Sequence, residues 1–418
     1  EVREIFEKWD LDVSVIGEVT GDGIGRVRWR GRTVAEIPIA SLTDKAPVYD
    51  RPAERPEGQD ALQRLDPAGL PAPSDLGETW VRLMGGSELS DRKWVYRQYD
   101  HMIRTNTLVL PGSDAAVLRV KETGKGIALS VDCNSRYCYL DPYVGGMIAV
   151  CESARNVACS GAEPVGLSDC LNFGNPEKPE VMWQFRSAIE GMAKACEVLG
   201  VPVVSGNVSF YNETMGKGIH PTPAVAMVGL LEDASKRRVQ WFSSEGDRIL
   251  LAGADRLGVH LGGSLYLKEV HGKVAGTPPP VDLAHEKRLQ EFLREAASAD
   301  LVVSAHDLAE GGFACALAES CISGPGDAKG ARVVNPFPGP TRPDFAMFSE
   351  CQGVVLLSCA PPKRDALLDL ARRFRITMKD LGVVGGEHVE IEGLARVEAA
   401  ELRKAWSEGF AAAIGLER

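Results

Sequence analysis

The sequence predicts an α/β (α+β) fold, on three observations. Stretches of two-residue alternation are joined by glycine turns, a long amphipathic pattern closes on a glycine, and a β-rich run follows it at once. The 44 glycines supply the tight turns of such a fold and suit loops that approach a ligand closely.

The elements follow in chain order. EVREIFEKWDLDV opens the chain as an amphipathic charged segment, and IGEVTG (16–21) leads into the alternating RVRWRGRTVAEIP. GDGIG at 21–25 reads as a hairpin turn between short strands. The same order recurs at the other end: RDALLDLARRFRI, then LGVVGG (381–386), then HVEIEGLARVEAA. This echo makes residues 1–45 the expected tail of a preceding copy of the module, and the chain the later part of a tandem duplication. Residues 46–90 are the expected Pro-rich linker, on the strength of KAPVYDRPAERPEGQDALQRLDPAGLPAPSDLG (45–77), whose six prolines read as extended chain.

Regular α/β patterning then spans 91–231. DAAVLRV (114–120) and GIALSVD (126–132) flank KETGKG as a hairpin. PYVGGMIAVCESARNVACSGAEP is a helix ended by Gly161 and Pro164. Phe185, Ile189, Met192, Cys196 and Leu199 mark one helical face, with Gly200 as its left-handed C′ residue. Val201-Pro202-Val203-Val204 reads as a short strand, and SGN as the turn after it. A second domain, 232–418, begins near GDRILLAG and holds LVVSAHDLAEGGFACALAES (301–320).

Bulk properties narrow the function classes. A net charge of −11 with no long Lys/Arg block argues against nucleic-acid binding. No apolar run reaches the length of a membrane span, and the opening residues lack the basic and apolar regions of a signal peptide. Ten scattered cysteines without a C-x-x-C pair fit reduced, buried thiols. A cytoplasmic protein is the expectation. The two sequons of SGNVSFYNET (205–214) would then carry no sugar.

Without sugar, that stretch admits two readings. An S-G-N turn after a strand can be purely structural. Equally, Gly206 lets a backbone approach a phosphate, while Asn207 and Ser209 offer an amide oxygen and a hydroxyl to Mg²⁺ or a substrate. Asp169 admits both an Asx turn opening NFGNP and a ligand contact. His306-Asp307 reads as a structural hydrogen-bonding pair, with acid–base chemistry as the sharper alternative. No P-loop, strand-to-helix G-x-G-x-x-G, G-x-S-x-G or H-E-x-x-H occurs.

WVYRQYDHMIRTN (94–106), PGSDAAV (111–117), SRYCYLDPYVGG (135–146), SDCLNFGNPEKPEVMWQ (168–184), SGNVSFYNET and SAHDLAEGG (304–312) carry a resemblance. Over the whole chain the sequence resembles the phosphoribosylformylglycinamidine synthase family, in its small-subunit form, within the aminoimidazole ribonucleotide synthetase superfamily. The resemblance implies an aminoimidazole ribonucleotide synthetase-like two-domain unit, preceded by the tail of a first copy. It also implies ATP-dependent conversion of formylglycinamide ribonucleotide and glutamine-derived ammonia to the amidine, across a site shared by two halves.

On the family's motif positions, Asp169 and Gly206 would contact ATP, Asn207 Mg²⁺, and Ser209 the ribonucleotide. The implied partners are the first half of the same synthetase, a glutaminase subunit and a small bridging subunit. Where the first half carries an S-H-N-H segment, this chain has VDCNSRYC, with Asn134 in place of a histidine. An Asn cannot act as a general base, so no catalytic residue is assigned here. His101 aligns with another first-half histidine and receives no role. The rival class is a non-catalytic nucleotide-binding or scaffolding module.

Overall fold

In the computed structural model the described residues are 1–337 and 339–416. They form two compact units, Glu1–Arg51 and Pro52–Arg418.

The first unit holds α1 (Val2–Lys8) and an antiparallel hairpin of β1 (Ile24–Trp29) and β2 (Arg32–Pro38). The hairpin turns at Arg30-Gly31, both left-handed, so GDGIG is the entry to β1 and not the turn. Residues 11–20 form no strand, although their echo at the other end does. A strand is stable only when its backbone groups find a partner, and this unit supplies none for that stretch. Trp9, Val15, Ile16 and Val19 are exposed.

The second unit contains two large sheets and a small antiparallel ribbon of β8 (Glu213–Thr214) and β9 (Lys217–Gly218). In the first, β3 (Thr107–Val109), β4 (Ala116–Arg119), β5 (Gly126–Asp132), β6 (Glu163–Asn172), β7 (Val203–Ser209) and β10 (Thr222–Leu231) lie in the order β3-β4-β5-β10-β6-β7. Only β6 and β7 pair in parallel. The hairpin predicted around KETGKG is β4–β5. One sheet face packs on α4 (Pro142–Cys159) and its neighbour α5 (Pro179–Leu199), burying Val117, Ala128, Leu167, Val225 and Met227. The opposite face leaves Ile127, Leu129 and Val131 exposed. Gly161 and Gly200 are left-handed beyond the helix ends, as their positions in the pattern predict.

The second sheet has the order β12-β14-β11-β15-β13-β16-β17. Its strands are β11 (Arg248–Ala252), β12 (Ser304–Asp307), β13 (Ala331–Val333), β14 (Val355–Cys359), β15 (Met378–Val384), β16 (His388–Ile391) and β17 (Ala395–Glu398). Here β15, the strand echoing residues 11–20, is held between β11 and β13. Helix α2 (Leu76–Met84), capped by Asp75, buries Trp80, Leu83 and Met84 in this domain's core. A core helix thus lies inside the stretch read as linker.

One expectation changes register. SGN is not a turn after a strand but the middle of β7, whose Ser205, Gly206, Asn207 and Ser209 pair with Ser168, Asp169, Cys170 and Asn172 of β6. Gly206 has no left-handed backbone, so its role is not that of a turn.

Candidate functional site

The four residues singled out in the sequence sit on β6 and the edge strand β7. Strand alternation gives them two orientations. Asp169 shares a face with the buried Leu167 and Leu171, while Ser205, Asn207 and Ser209 face the other way. The Ser205 hydroxyl donates to Ser168 at 2.8 Å across the two strands, which fixes that second face.

Gly206 lies opposite Asp169, and a Cβ on it would stand 2.3 Å from Asp169 Oδ1. The glycine is therefore the space that the Asp169 carboxylate occupies. No hydrogen bond to that carboxylate is made among the described residues, so the Asx-turn reading of Asp169 does not hold. Partial burial alone raises its pKa above the ordinary value. Asn207 is exposed, its amide unpaired among the described residues. The β6–β7 pair thus presents the Asp169 carboxylate on one face and an amide and a hydroxyl of the edge strand on the other.

Ser209 belongs to a braced corner. Tyr211, two residues on, is left-handed with φ 61°, a conformation a non-glycine residue holds only when its surroundings impose it. The loop carrying it is tied to NFGNPEK by Phe173 N donating to Ser209 O (3.0 Å) and Tyr211 N to Gly174 O (2.9 Å). Glu213 Oε1 accepts from Asn175 N (3.2 Å) and Lys178 Nζ (2.6 Å). Burial opposes this, but the Lys178 bond, the larger effect, lowers the Glu213 pKa. The two motifs, joined by Lys178 and Glu213 from 35 residues apart in the sequence, are one structural unit.

A second polar region went unrecognised in the sequence. A cavity of ≈ 590 Å³ opens where the two sheets' domains meet, with Asp114, Asp132, Glu152, Asn156, Asp307 and Glu310 on its wall. These residues come from four separate stretches; Glu152/Asn156 on α4 and Asp307/Glu310 in SAHDLAEGG are the only local pairs among them. Burial first, then neighbouring carboxylates, push Asp132 up to about 7 and Glu152 well above its ordinary range.

Arg155 holds this region together. Wholly buried, it donates to Asp307 at 2.5 and 3.1 Å, Glu286 at 2.6 Å and Gln352 at 2.9 Å. Even so, burial leaves Asp307 raised to about 6. His306 Nδ1 lies 2.5 Å from Asp114 and Nε2 3.1 Å from Glu319. Burial would lower the imidazole pKa, but the two carboxylates outweigh it and raise it well above the ordinary value. His306-Asp307 is thus a structural pair: each side chain is consumed by fixed partners.

Asn134 caps the helix α3 (Ser135–Leu140), accepting from Arg136 N (3.1 Å) and Tyr137 N (3.3 Å), and donates to Glu310 at 3.0 Å. Its position is structural, with no proton to exchange. His101 stacks edge-on with Tyr96, away from the four strand residues in the sequence and with its Nδ1 3.1 Å from Tyr99 O. Among the described residues no group of three or more His, Cys, Asp or Glu side chains could hold a metal ion. None of the described helices is long and apolar enough to cross a membrane.

This two-domain unit belongs to the AIR synthase related family. The family's N-terminal domain matches residues 112–231, and its C-terminal domain residues 244–393. Within it, the chain is 50% identical over 413 residues to the phosphoribosylformylglycinamidine synthase subunit PurL of Moorella thermoacetica, covering 98% of this chain and 55% of that subunit. The same subunit from Anaeromyxobacter dehalogenans is 49% identical over 425 residues, covering 99% and 56%. The chain therefore spans a little over half the length of these relatives.

Among solved structures, Thermotoga maritima PurL complexed with FGAR shares the fold at TM-score 0.64 and 21% identity, over 79% of this chain and 54% of that one. T. maritima PurL complexed with ADP gives TM-score 0.59 at 22% identity, over 79% and 52%.

Proposed function

We propose that this chain supplies the second half of a cytoplasmic phosphoribosylformylglycinamidine synthase, an ATP-dependent C–N ligase of purine biosynthesis. The reaction joins ammonia released from glutamine to formylglycinamide ribonucleotide, with ADP and phosphate as the other products. The observation that carries this reading is identity near 50% with such subunits along nearly the whole chain. The partners would be the first half of the synthetase, a glutaminase subunit and a small bridging subunit.

By the family's motif positions on β6 and β7, Asp169 and Gly206 would receive ATP, Asn207 would ligate Mg²⁺, and Ser209 would contact the ribonucleotide. The metal, when bound, neutralises phosphate charge. Asn207 gives one neutral oxygen, and Mg²⁺ takes several ligands, so phosphates, water and the other half would supply the rest. The exposed apolar residues Ile127, Leu129 and Val131 are what a sheet face covered by that other half would carry. With Asn134 in a cap, the catalytic base would also come from there.

Gly206→Ala tests the reading. In the full-length subunit it is expected to raise KM for ATP by about tenfold, because the new methyl displaces the Asp169 carboxylate. The carboxylate end is free to swing, so unfolding free energy should change by less than about 1 kcal/mol. Unchanged kinetics at limiting ATP would remove Asp169 and Gly206 from the nucleotide site.

A further inference from the structure

The sequon residue Asn212 has no part in the reading above, yet it is the most heavily bonded side chain of the SFYN corner. Its Nδ2 lies 3.0 Å from Phe173 O, 2.9 Å from Ser209 O and 3.2 Å from Ser209 Oγ, and its Oδ1 lies 3.2 Å from Ser209 Oγ. The two backbone carbonyls accept only, so the amide nitrogen must face them, and its two protons are spent there. The remaining bond is then Ser209 Oγ–H donating to Asn212 Oδ1. Asn212 is itself clamped through its backbone, by Asn212 N to Phe173 O (3.2 Å) and Ile219 N to Asn212 O (3.1 Å).

We infer that Asn212 is a positioning residue whose Oδ1 accepts the hydrogen bond of the Ser209 hydroxyl and so presents Ser209 Oγ to the ribonucleotide as a hydrogen-bond acceptor. The inference rests on the proposed contact between Ser209 and substrate and adds its polarity. Ser209 would then select a substrate O–H or N–H donor, such as a ribose hydroxyl, and would not donate to a phosphate oxygen. Because the hydroxyl is oriented before substrate arrives, no rotor freedom is lost on binding.

The test is steady-state kinetics of the full-length subunit with formylglycinamide ribonucleotide, for Ser209→Ala, Asn212→Ala and the double variant. Each single substitution is expected to raise KM for the ribonucleotide by about five- to tenfold, the worth of one hydrogen bond. The double variant should exceed Ser209→Ala by no more than about twofold, since Asn212 acts through Ser209. KM for ATP should stay within about twofold of the parent.

An effect of Asn212→Ala that multiplies in full onto Ser209→Ala would mark it as merely structural and overturn the proposal. So would a Ser209→Ala effect with no Asn212→Ala effect. If Ser209→Ala itself leaves KM unchanged, the substrate contact fails, and the polarity falls with it.

A second arm does not depend on the Asn212 variant folding. Ribonucleotide analogues with one donor at a time replaced by fluorine or N-methyl are compared on parent and Ser209→Ala. One of them should lose about five- to tenfold on the parent and nothing on Ser209→Ala. Equal binding of every such analogue to the parent overturns the proposal.

Discussion

Replacing Arg155 by methionine is expected to destabilise the Pro52–Arg418 unit by about 3–5 kcal/mol at pH 7.5, the cost of breaking a buried ion pair from one side. The guanidinium is fully buried and answers Asp307, Glu286 and Gln352 together. Methionine fills much of the volume but leaves two carboxylates facing each other without a cation. Asp307, already raised to about 6 by burial, can escape by protonation, so the loss should shrink at pH 5, where it is neutralised more readily. Urea denaturation at the two pH values measures both quantities. A loss below about 1 kcal/mol at pH 7.5 would mean that the network is not holding the two domains together.

The second large effect has the opposite sign. Asp132, half-buried on the cavity wall, has its pKa raised from 3.8 to about 7 by burial first and by Glu310 and Asp307, against the opposing hydrogen bonds of Asn156 and Ser153. A raised carboxylate means that the folded state binds more protons than the unfolded chain between these values. Its contribution to stability therefore falls as pH climbs from about 4 to 7. Asp132→Asn removes that penalty and is expected to stabilise the protein by about 1–3 kcal/mol at pH 8, after allowance for solvent screening. The gain should vanish below about pH 4, where Asp132 is neutral in both states. A variant as stable as the parent at pH 8 would show that Asp132 ionises without cost.

What the sequence made legible was local. The α5 face closing on Gly200, the α4 helix stopping before Gly161, and the β4–β5 hairpin each depend on neighbours within one or two turns of chain. SGN was misplaced because β7 is extended by pairing with β6, a partner some 37 residues away, and no local pattern reports that. Residues 11–20 repeat a strand pattern yet form none, since β15 owes its shape to β11 and β13 and not to its own residues. Helix α2 lay hidden behind prolines that end just before its Asp75 cap.

The site divides in the same way. Asp169, Gly206, Asn207 and Ser209 were singled out by the family resemblance, since the residue pattern by itself left a structural reading open for each. Which way each side chain points required the sheet. The carboxylates around the cavity were illegible because Asp114, Asp132, Glu152, Asp307 and Glu310 converge from distant stretches, and the Arg155 that links them looks like any helix arginine. His306-Asp307 drew attention as a dipeptide, but its meaning lay in Asp114, Glu319 and Arg155, none of them adjacent in sequence.

The central claim is that this chain holds one side of a shared synthetase site. It is tested most directly by turnover with ammonia as nitrogen donor, measured for the chain alone and after addition of the separately expressed first half of a PurL subunit. No amidine should form with the chain alone, and formation should appear with the pair and fall by about fifty- to a hundredfold at limiting substrates when Gly206→Ala and Ser209→Ala are combined. Turnover by the unpaired chain, or full activity of the pair carrying both substitutions, would contradict it.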